Sequence, residues 1–273
     1  MYLGIDIGAT KTLLATFTNK GDIKERIKFL TPKNYAKFKI ELSDNVAKLS
    51  TNTFTGCCVG VPGRLDRKQG IGIAMGNLPW EDVPIKKDVQ ALLTNCPVSL
   101  ENDAKLAGLS EAVLVKDTYQ RVVYATISTG IGIGVIVNQE IEPNLLDAEP
   151  GKMPLEHNGK MMAWESFASG KAIVKRYGKK ASEITDPTTW KHIAEDIAIG
   201  LIDVIAMVQP QVIVLGGGVS THFDHFGLFL KQALQAYEVP LIPIPAIIPA
   251  SRPEEAVIYG CYELAKRLHE RTN

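Results

Sequence analysis

The alternation of hydrophobic and polar residues at the start of the chain predicts a β-hairpin. An apolar run begins at Tyr2, carries a single acid at Asp6 and breaks at Gly8, and a second apolar run follows at residues 13–17. Two short extended runs separated by small and hydroxyl residues are typical of antiparallel strands joined by a tight turn. The acid is therefore expected at the end of a buried strand, directly before the turn.

The same pattern occurs again in the middle of the chain. Residues 122–128 and 131–137 are strongly apolar, and the turn that joins them is rich in glycine. The two strand-turn-strand units begin about 120 residues apart, and this repetition predicts an internally duplicated fold.

Apolar spacing along the rest of the chain predicts a succession of strands and helices. Helices are expected at residues 35–49, 103–115, 164–177, 190–208, 226–237 and 254–271, and further strands at 23–30, 57–61, 98–100 and 211–215. The prolines among residues 239–249 restrict any strand there to a sheet edge. This order of elements is typical of an α/β protein.

Composition narrows the classes of function. The 273 residues carry 30 basic and 30 acidic side chains, a balance that gives no support for nucleic-acid binding through bulk charge. No apolar run reaches 18 residues, and no signal-peptide pattern opens the chain. The four cysteines form no CxxC pair, which favours reduced thiols. We therefore expect a cytoplasmic protein without a membrane anchor.

Both glycine-containing turns are candidate phosphate sites. Backbone N–H groups in a turn of small residues form a concavity for anions, and a carboxylate such as Asp6 suits hydrated Mg²⁺. A plain hairpin without a ligand is the alternative for residues 8–12, which do not form a Walker A loop. Residues 128–134 lack the GxGxxG spacing of a dinucleotide site. Alternating glycines in a strand nevertheless allow a phosphate to approach the backbone.

Three polar residues, Glu101, Asn102 and Asp103, stand where a strand ends and a helix begins. Helix capping accounts for one such residue, whereas three in a row also fit a substrate site at the carboxyl end of a strand. Asp103 is the candidate general base. The three glycines at 216–218 fit either a sharp turn or a place where a flat ring meets the backbone. His157 is expected to be a surface or loop histidine.

Taken in order, these motifs resemble those of the ROK family of repressors, uncharacterised reading frames and sugar kinases. The resemblance covers nearly the whole chain and rests on residues 6–12, 60–63, 76–80, 101–104, 128–134 and 215–220. It implies an α/β, two-lobed ribonuclease H-like (actin-like ATPase) fold, duplicated and with an interlobe cleft. A smaller N-terminal lobe would comprise residues 1–115, with the helix at 254–271 packing back on it, and a larger C-terminal lobe residues 116–273.

The resemblance also implies roles for single residues. Asp103 would be the catalytic base that takes the proton from a sugar hydroxyl as the hydroxyl attacks the γ-phosphate of ATP, and Asp6 would hold Mg²⁺ through water. The residues implied in binding the nucleotide are Gly8, Ala9, Thr10, Lys11, Thr12, Thr129, Gly130, Gly132, Gly217 and Gly218. Those implied in binding the sugar are Gly63, Asn77, Asn102, Glu149, Lys152 and Glu165.

One segment departs from the family pattern. Members commonly carry a histidine after Gly-Glu-x-Gly, followed by a cysteine-rich loop that binds structural zinc. Here Lys152 stands in the histidine position, and residues 153–164 contain no cysteine. We therefore predict no zinc site. A lysine donates hydrogen bonds but cannot accept them, so its presence changes how a sugar would be recognised.

The resemblance therefore implies an ATP-dependent sugar kinase that acts on a hexose 6-hydroxyl and forms a homodimer. Neither nucleic acid nor a membrane is expected as a partner. Two alternatives stay open: a sugar-binding regulatory protein without turnover, and a kinase that uses polyphosphate. A repressor is disfavoured because the chain starts at the first phosphate loop, and the triglycine segment favours ATP. The sugar is not specified, since glucose, fructose, mannose and N-acetylated hexosamines all fit.

Overall fold

The computed structural model describes residues 1–272, which form two compact units. The first unit contains Met1–Ser110 and the C-terminal segment that starts at Glu255, and the second contains Glu111–Glu254. Each unit has its own five-stranded sheet and its own apolar core.

The strands and helices are numbered in chain order. The strands are β1 (Tyr2–Ile7), β2 (Lys11–Phe17), β3 (Ile23–Leu30), β4 (Gly56–Val61), β5 (Arg64–Asp66), β6 (Ile71–Ala74), β7 (Glu81–Val83), β8 (Val98–Asn102), β9 (Arg121–Ile127), β10 (Ile131–Val137), β11 (Glu140–Ile141), β12 (Pro154–His157), β13 (Lys160–Ala163), β14 (Val212–Gly216) and β15 (Ala246–Pro249). The helices are α1 (Tyr35–Val46), α2 (Ile85–Gln90), α3 (Asp103–Leu114), α4 (Glu165–Ala168), α5 (Gly170–Tyr177), α6 (Pro187–Val208), α7 (Phe223–Gln235) and α8 (Ala256–Thr272).

The two large sheets have the same topology. The strand order is β3-β2-β1-β4-β8 in the first unit and β11-β10-β9-β14-β15 in the second. In both sheets the first three strands are antiparallel, and the last two run parallel to the central strand. This shared order and direction confirms the internal duplication that the sequence predicted.

The inner strands are buried on both faces, as expected for parallel strands that are covered by helices. In the first unit β1 and β4 pack against α8, where a Cβ added to Gly4 would lie 3.0 Å from the Ile258 side chain. In contrast, β3 alternates half-buried and exposed residues, which is the pattern of an edge strand. The packed inner strands fix the positions of the turns and side chains that follow them.

Several regions differ from the elements predicted from the sequence. The helix expected at 164–177 is divided into α4 and α5, because Ser169 is extended and caps α5 by accepting from the Ala172 N–H at 3.2 Å. The small sheet β5-β6-β7 and the hairpin β12-β13 were not predicted. The hairpin turns at Asn158 and Gly159, which both have positive φ, and Asn-Gly is a strong sequence signal for such a turn.

His157 is neither a surface nor a loop histidine, contrary to the expectation, because it is the last residue of β12. Its side chain is only 10% exposed, and its Nε2 lies 2.9 Å from Asp196 Oδ1. The expectation was wrong because the partner is 39 residues further along the chain and belongs to a different element. The four cysteines are buried free thiols.

Within residues 1–272, no helix combines the length and the apolar character that crossing a membrane requires.

Candidate functional site

The first candidate phosphate turn connects β1 to β2. The Gly8 N–H donates to the Lys11 carbonyl at 3.0 Å and closes the turn. Within the described part of the chain, the N–H groups of Ala9 and Thr10 donate to no other protein group. The turn therefore presents the backbone donors that an anion requires.

Contacts from the loop that follows β3 hold this turn in place. The buried hydroxyls of Thr12 and Thr31 lie 2.9 Å apart, and the Thr31 N–H donates to the Thr10 carbonyl at 3.0 Å. Lys33 donates from Nζ to the Ala9 carbonyl at 2.8 Å. Thr31 and Lys33 were not predicted, because neither belongs to a motif. Their contacts fix the backbone of the turn, while the Lys11 side chain stays exposed.

The carboxyl ends of three parallel strands bring together the predicted segments of the first unit. Asp6 near the end of β1 pairs in register with Gly60 of β4, and Gly60 pairs with Glu101 of β8. The residues that follow these strands therefore share one edge of the sheet. This edge is where open α/β sheets bind their ligands.

Asn102 links this edge to the loops after β4 and β6. Its Nδ2 donates to the Gly63 carbonyl at 3.2 Å, and its Oδ1 accepts from the Ala104 N–H at 3.0 Å. Gly63 has a φ of +92°, and a Cβ there would lie 2.0 Å from the Ala74 carbonyl oxygen, so only glycine fits. This contact brings Gly63 beside the loop that carries Asn77, whose side chain is exposed.

Asp103 begins α3 at the same edge, and its Oδ1 accepts from the Ala104 N–H at 2.8 Å. Burial, with a further contribution from the negative charge of Asp103, raises the pKa of Asp6 to about 7, and Lys28 opposes the shift. Two carboxylates close enough to repel each other form a set of oxygen donors of the kind that hydrated Mg²⁺ prefers. The residues present therefore fit a magnesium ion.

Glu101 forms an ion pair with Arg67 of the same unit. It is buried, and its carboxylate accepts from Arg67 Nε at 2.8 Å and from Arg67 Nη2 at 2.6 Å. It also accepts from the Asn102 N–H at 2.7 Å. Arg67 was not predicted, because the pair spans 34 residues and has no periodic signature. It fixes the backbone immediately before Asp103.

The second candidate phosphate turn joins β9 to β10 in the second unit. The Ser128 N–H donates to the Gly130 carbonyl at 2.9 Å, and the Gly170 N–H donates to the Ser128 carbonyl at 2.7 Å. These bonds hold the turn against the start of α5. Thr129 is exposed at the tip of the turn, and Gly132 lies within β10.

The second unit also brings together three residues assigned to the sugar. Pro150–Lys152 form a 3₁₀ turn, in which the Lys152 N–H donates to the Glu149 carbonyl at 2.9 Å. Lys152 Nζ is ion-paired with Glu165 Oε1, and the Ile131 N–H donates to Glu165 Oε2 at 3.4 Å. Lys152 and Glu165 are therefore neighbours beside β10, while the Glu149 side chain is exposed.

A cavity of about 430 Å³ lies beside the second phosphate turn. It is lined by Ser128, Thr129, Gly170, Lys171, Val174, Lys180, Ala181, Ser182, Gly218, Val219 and His222. The cavity combines Thr129 and Gly218, assigned to the phosphates and to adenosine, with two lysines that no motif revealed, Lys171 and Lys180. Gly217 directly precedes the lining residue Gly218. Apolar walls with basic groups suit a flat ring that carries phosphates.

The family model described as "ROK family" matches residues 2–268. The chain belongs to the ROK family. A relative, a glucokinase of Streptomyces coelicolor, is 24% identical over an alignment of 314 positions, which covers 97% of this chain and 98% of the relative. A xylose repressor of Bacillus spizizenii is 30% identical over 183 positions, which cover 59% of this chain and 47% of the repressor. The second match thus spans about half the length of the repressor.

Solved structures support the fold. A ROK family glucokinase from Streptomyces griseus, solved in complex with glucose and AMPPNP, is similar with a TM-score of 0.80 and 22% identity. The similarity covers 97% of this chain and 99% of the glucokinase chain. The ROK protein described here therefore has the α/β, actin-like ATPase fold that the sequence predicted.

Proposed function

We propose that this ROK protein is an ATP-dependent sugar kinase that phosphorylates the 6-hydroxyl of a hexose, with Asp103 as the general base. The observation that carries the proposal is the position of Asp103, at the sheet edge that also holds Asp6, Asn102 and the Gly63 loop. The glucokinase relative, which aligns over 98% of its length, supports the same class of reaction.

The proposed chemistry requires little more than positioning and one proton transfer. Asp103 takes the proton of the sugar hydroxyl while the hydroxyl oxygen forms a bond to the γ-phosphorus of ATP, and ADP leaves. The bond from the Ala104 N–H orients the Asp103 carboxylate at the start of α3. The Arg67–Glu101 pair holds the preceding backbone, so the base is preorganised.

Each unit carries its own set of residues that we assign to the nucleotide. In the first unit Gly8, Ala9, Thr10, Lys11 and Thr12 would contact phosphates. In the second unit Thr129, Gly130 and Gly132 would do the same, and Gly217 and Gly218 would contact adenosine beside the 430 Å³ cavity. Asp6 would hold Mg²⁺ through water, and the ion when bound neutralises phosphate charge.

The sugar would be bound by Gly63, Asn77, Asn102, Glu149, Lys152 and Glu165. Lys152 donates and Glu165 accepts, so together they suit neighbouring hydroxyl groups of a sugar. The proposal includes a cytoplasmic homodimer, with small molecules rather than nucleic acid as ligands.

The first test is ADP release with Mg-ATP across a panel of hexoses and N-acetylhexosamines. Asp103→Asn should lower kcat by about 10²–10⁴-fold, the usual contribution of a general base. Asp44→Asn, a matched change at an exposed position on α1, should leave the rate unchanged. A loss of less than a few-fold in Asp103→Asn would contradict the assigned base. Replacing ATP by polyphosphate in the same assay tests the donor.

The match to the xylose repressor favours a second candidate, a sugar-binding regulatory protein without turnover. Titration calorimetry with the same sugars separates the two. Sugar binding without ADP release in the presence of Mg-ATP would support the regulatory protein and contradict the kinase.

A further inference from the structure

The hairpin β12-β13 connects the two members of the Lys152–Glu165 pair. Its open end is closed by the Trp164 N–H, which donates to the Met153 carbonyl at 3.0 Å. Lys152 precedes Met153 and Glu165 follows Trp164, so the two charged residues stand immediately outside the last backbone pair of the hairpin. The orientation of the hairpin therefore determines the backbone positions from which the Lys152 and Glu165 side chains extend.

The open end of the hairpin is fixed to α6. Trp164 is fully buried, and its Nε1 donates to the backbone carbonyl of Asp196 at 3.3 Å. One turn further along α6, Gly200 lies against the indole, since a Cβ there would be 2.1 Å from Trp164 Cδ2. The tryptophan can occupy this position only because residue 200 has no side chain.

The other end of the hairpin is fixed to the same turn of α6. His157 Nε2 lies 2.9 Å from Asp196 Oδ1, and Arg176 from α5 donates to Asp196 Oδ2. The His157 ring also stacks on Phe167 of α4, with the ring centroids 4.3 Å apart and the planes 11° from parallel. Asp196 is buried and engages a charged or polar partner on each carboxylate oxygen. Hydrogen bonds to an ionised group in such a site are strong and directional.

We propose that His157, Asp196 and Arg176 form a positioning network for the Lys152–Glu165 pair. One residue of α6 receives both ends of the hairpin, its backbone carbonyl binding Trp164 and its carboxylate binding His157, so the hairpin cannot tilt relative to α4, α5 and α6. The inferred effect on sugar binding rests on the proposed function, whereas the positioning itself does not.

Two variants test the network, each with a matched control. His157→Phe keeps an aromatic ring against Phe167 but removes the donor to Asp196. His157→Gln retains a donor and should therefore behave much more like the wild type. Asp196→Asn removes the charge. Glu195→Gln changes the adjacent residue of α6, whose exposed partner Lys191 is 3.9 Å away, and serves as the control.

Hydrogen exchange and steady-state kinetics are measured on the same preparations. We expect amide exchange across residues 153–164 to accelerate roughly tenfold in His157→Phe and Asp196→Asn, because the local opening of this segment becomes easier. We expect the KM for the sugar to rise roughly tenfold, because the displaced Lys152 and Glu165 are assigned to the sugar. The KM for ATP should stay within about twofold, because the second phosphate turn, which is bonded to Glu165 through the Ile131 N–H at 3.4 Å, is held independently by the Gly170 N–H, which donates to the Ser128 carbonyl at 2.7 Å.

The outcomes separate the network from the proposed function. The network would be overturned if the amide exchange and the sugar KM of His157→Phe and Asp196→Asn matched those of Glu195→Gln. A parallel rise of both KM values would also overturn it, because that result indicates a general loss of structure. If the wild-type protein neither phosphorylates nor binds any sugar of the panel, the proposed function fails. Faster exchange confined to residues 153–164 in His157→Phe and Asp196→Asn would still support the network.

Discussion

Replacing Asp6 by asparagine is expected to stabilise the protein at pH 8 much more than at pH 5. Burial at the end of β1, with the charge of Asp103, raises the pKa of Asp6 from 3.8 to about 7. A carboxyl group with a higher pKa in the folded state binds its proton more tightly when folded, so ionising it costs folding free energy. This cost is absent below about pH 4, grows as the pH rises, and is complete above about pH 7.

The magnitude follows from the two pKa values. A pKa of about 7 against 3.8 corresponds to about 4 kcal/mol at pH 8 and to about 2 kcal/mol at pH 5, where the unfolded carboxyl group is already ionised. Asparagine has nearly the same shape and carries no charge at either pH. The stability gained by Asp6→Asn should therefore be larger at pH 8 than at pH 5 by roughly 2–3 kcal/mol.

The assay is urea unfolding at pH 5 and pH 8 in buffer with a chelator and without magnesium. Asp44→Asn, which removes an exposed charge on α1, serves as the control and should show no such difference. Asp103→Asn should act in the same direction with a smaller magnitude, because it removes the charge that contributes second to the raised pKa of Asp6. An Asp6→Asn effect of equal size at both pH values would refute the reasoning, since Asp6 would then ionise normally in the folded protein.

Three further predictions concern stability. Arg67→Met should lower the free energy of unfolding by about 3–5 kcal/mol in urea titrations, because it leaves the buried Glu101 carboxylate unpaired; a loss below about 1 kcal/mol would contradict this. Gly63→Ala should reduce the melting temperature and the affinity for sugar together, because its Cβ would collide with the Ala74 carbonyl at 2.0 Å; unchanged calorimetric and kinetic values would argue against the turn as described. Treatment with a zinc chelator, followed by restoration of magnesium, should leave the melting temperature unchanged, since the hairpin within residues 153–164 is held by protein contacts; a fall accompanied by zinc release would refute it.

The sequence was most informative where function and local structure depend on neighbouring residues. The hairpin around Gly8, the strand-to-helix junction at Asp103 and the second glycine-rich turn could all be located from short patterns. Their proximity within each unit also followed, because the carboxyl ends of neighbouring parallel strands lie at one sheet edge. The shared strand order of the two sheets then confirmed the duplication inferred from the repeated strand-turn-strand pattern.

The contacts that hold these motifs could not be predicted, because they join residues far apart in sequence. The Arg67–Glu101 pair spans 34 residues, and the His157–Asp196 contact spans 39. Neither involves periodic spacing, and a buried histidine has the same local sequence appearance as an exposed one. Lys171, which lines the cavity, was missed for a related reason. It lies in the first turn of α5, and the sequence pattern did not reveal the break between α4 and α5 that determines where α5 begins.

The duplicated topology gives a physical reason for the unequal chemistry of the two units. In the first sheet Asp6 pairs in register with Gly60, and in the second the equivalent pair is Thr126 with Gly216. The second unit therefore has a neutral hydroxyl where the first has an acid. A carboxylate beside a phosphate turn repels the phosphates unless a cation intervenes, whereas a hydroxyl does not. Under the proposed function, the first turn would therefore require a metal ion beside Asp6, whereas the second turn, beside Thr126, would contact phosphate without one. Thr126→Asp should accordingly weaken ATP binding while leaving sugar binding intact, and equal affinities for ATP in the wild type and this variant would contradict this difference between the turns.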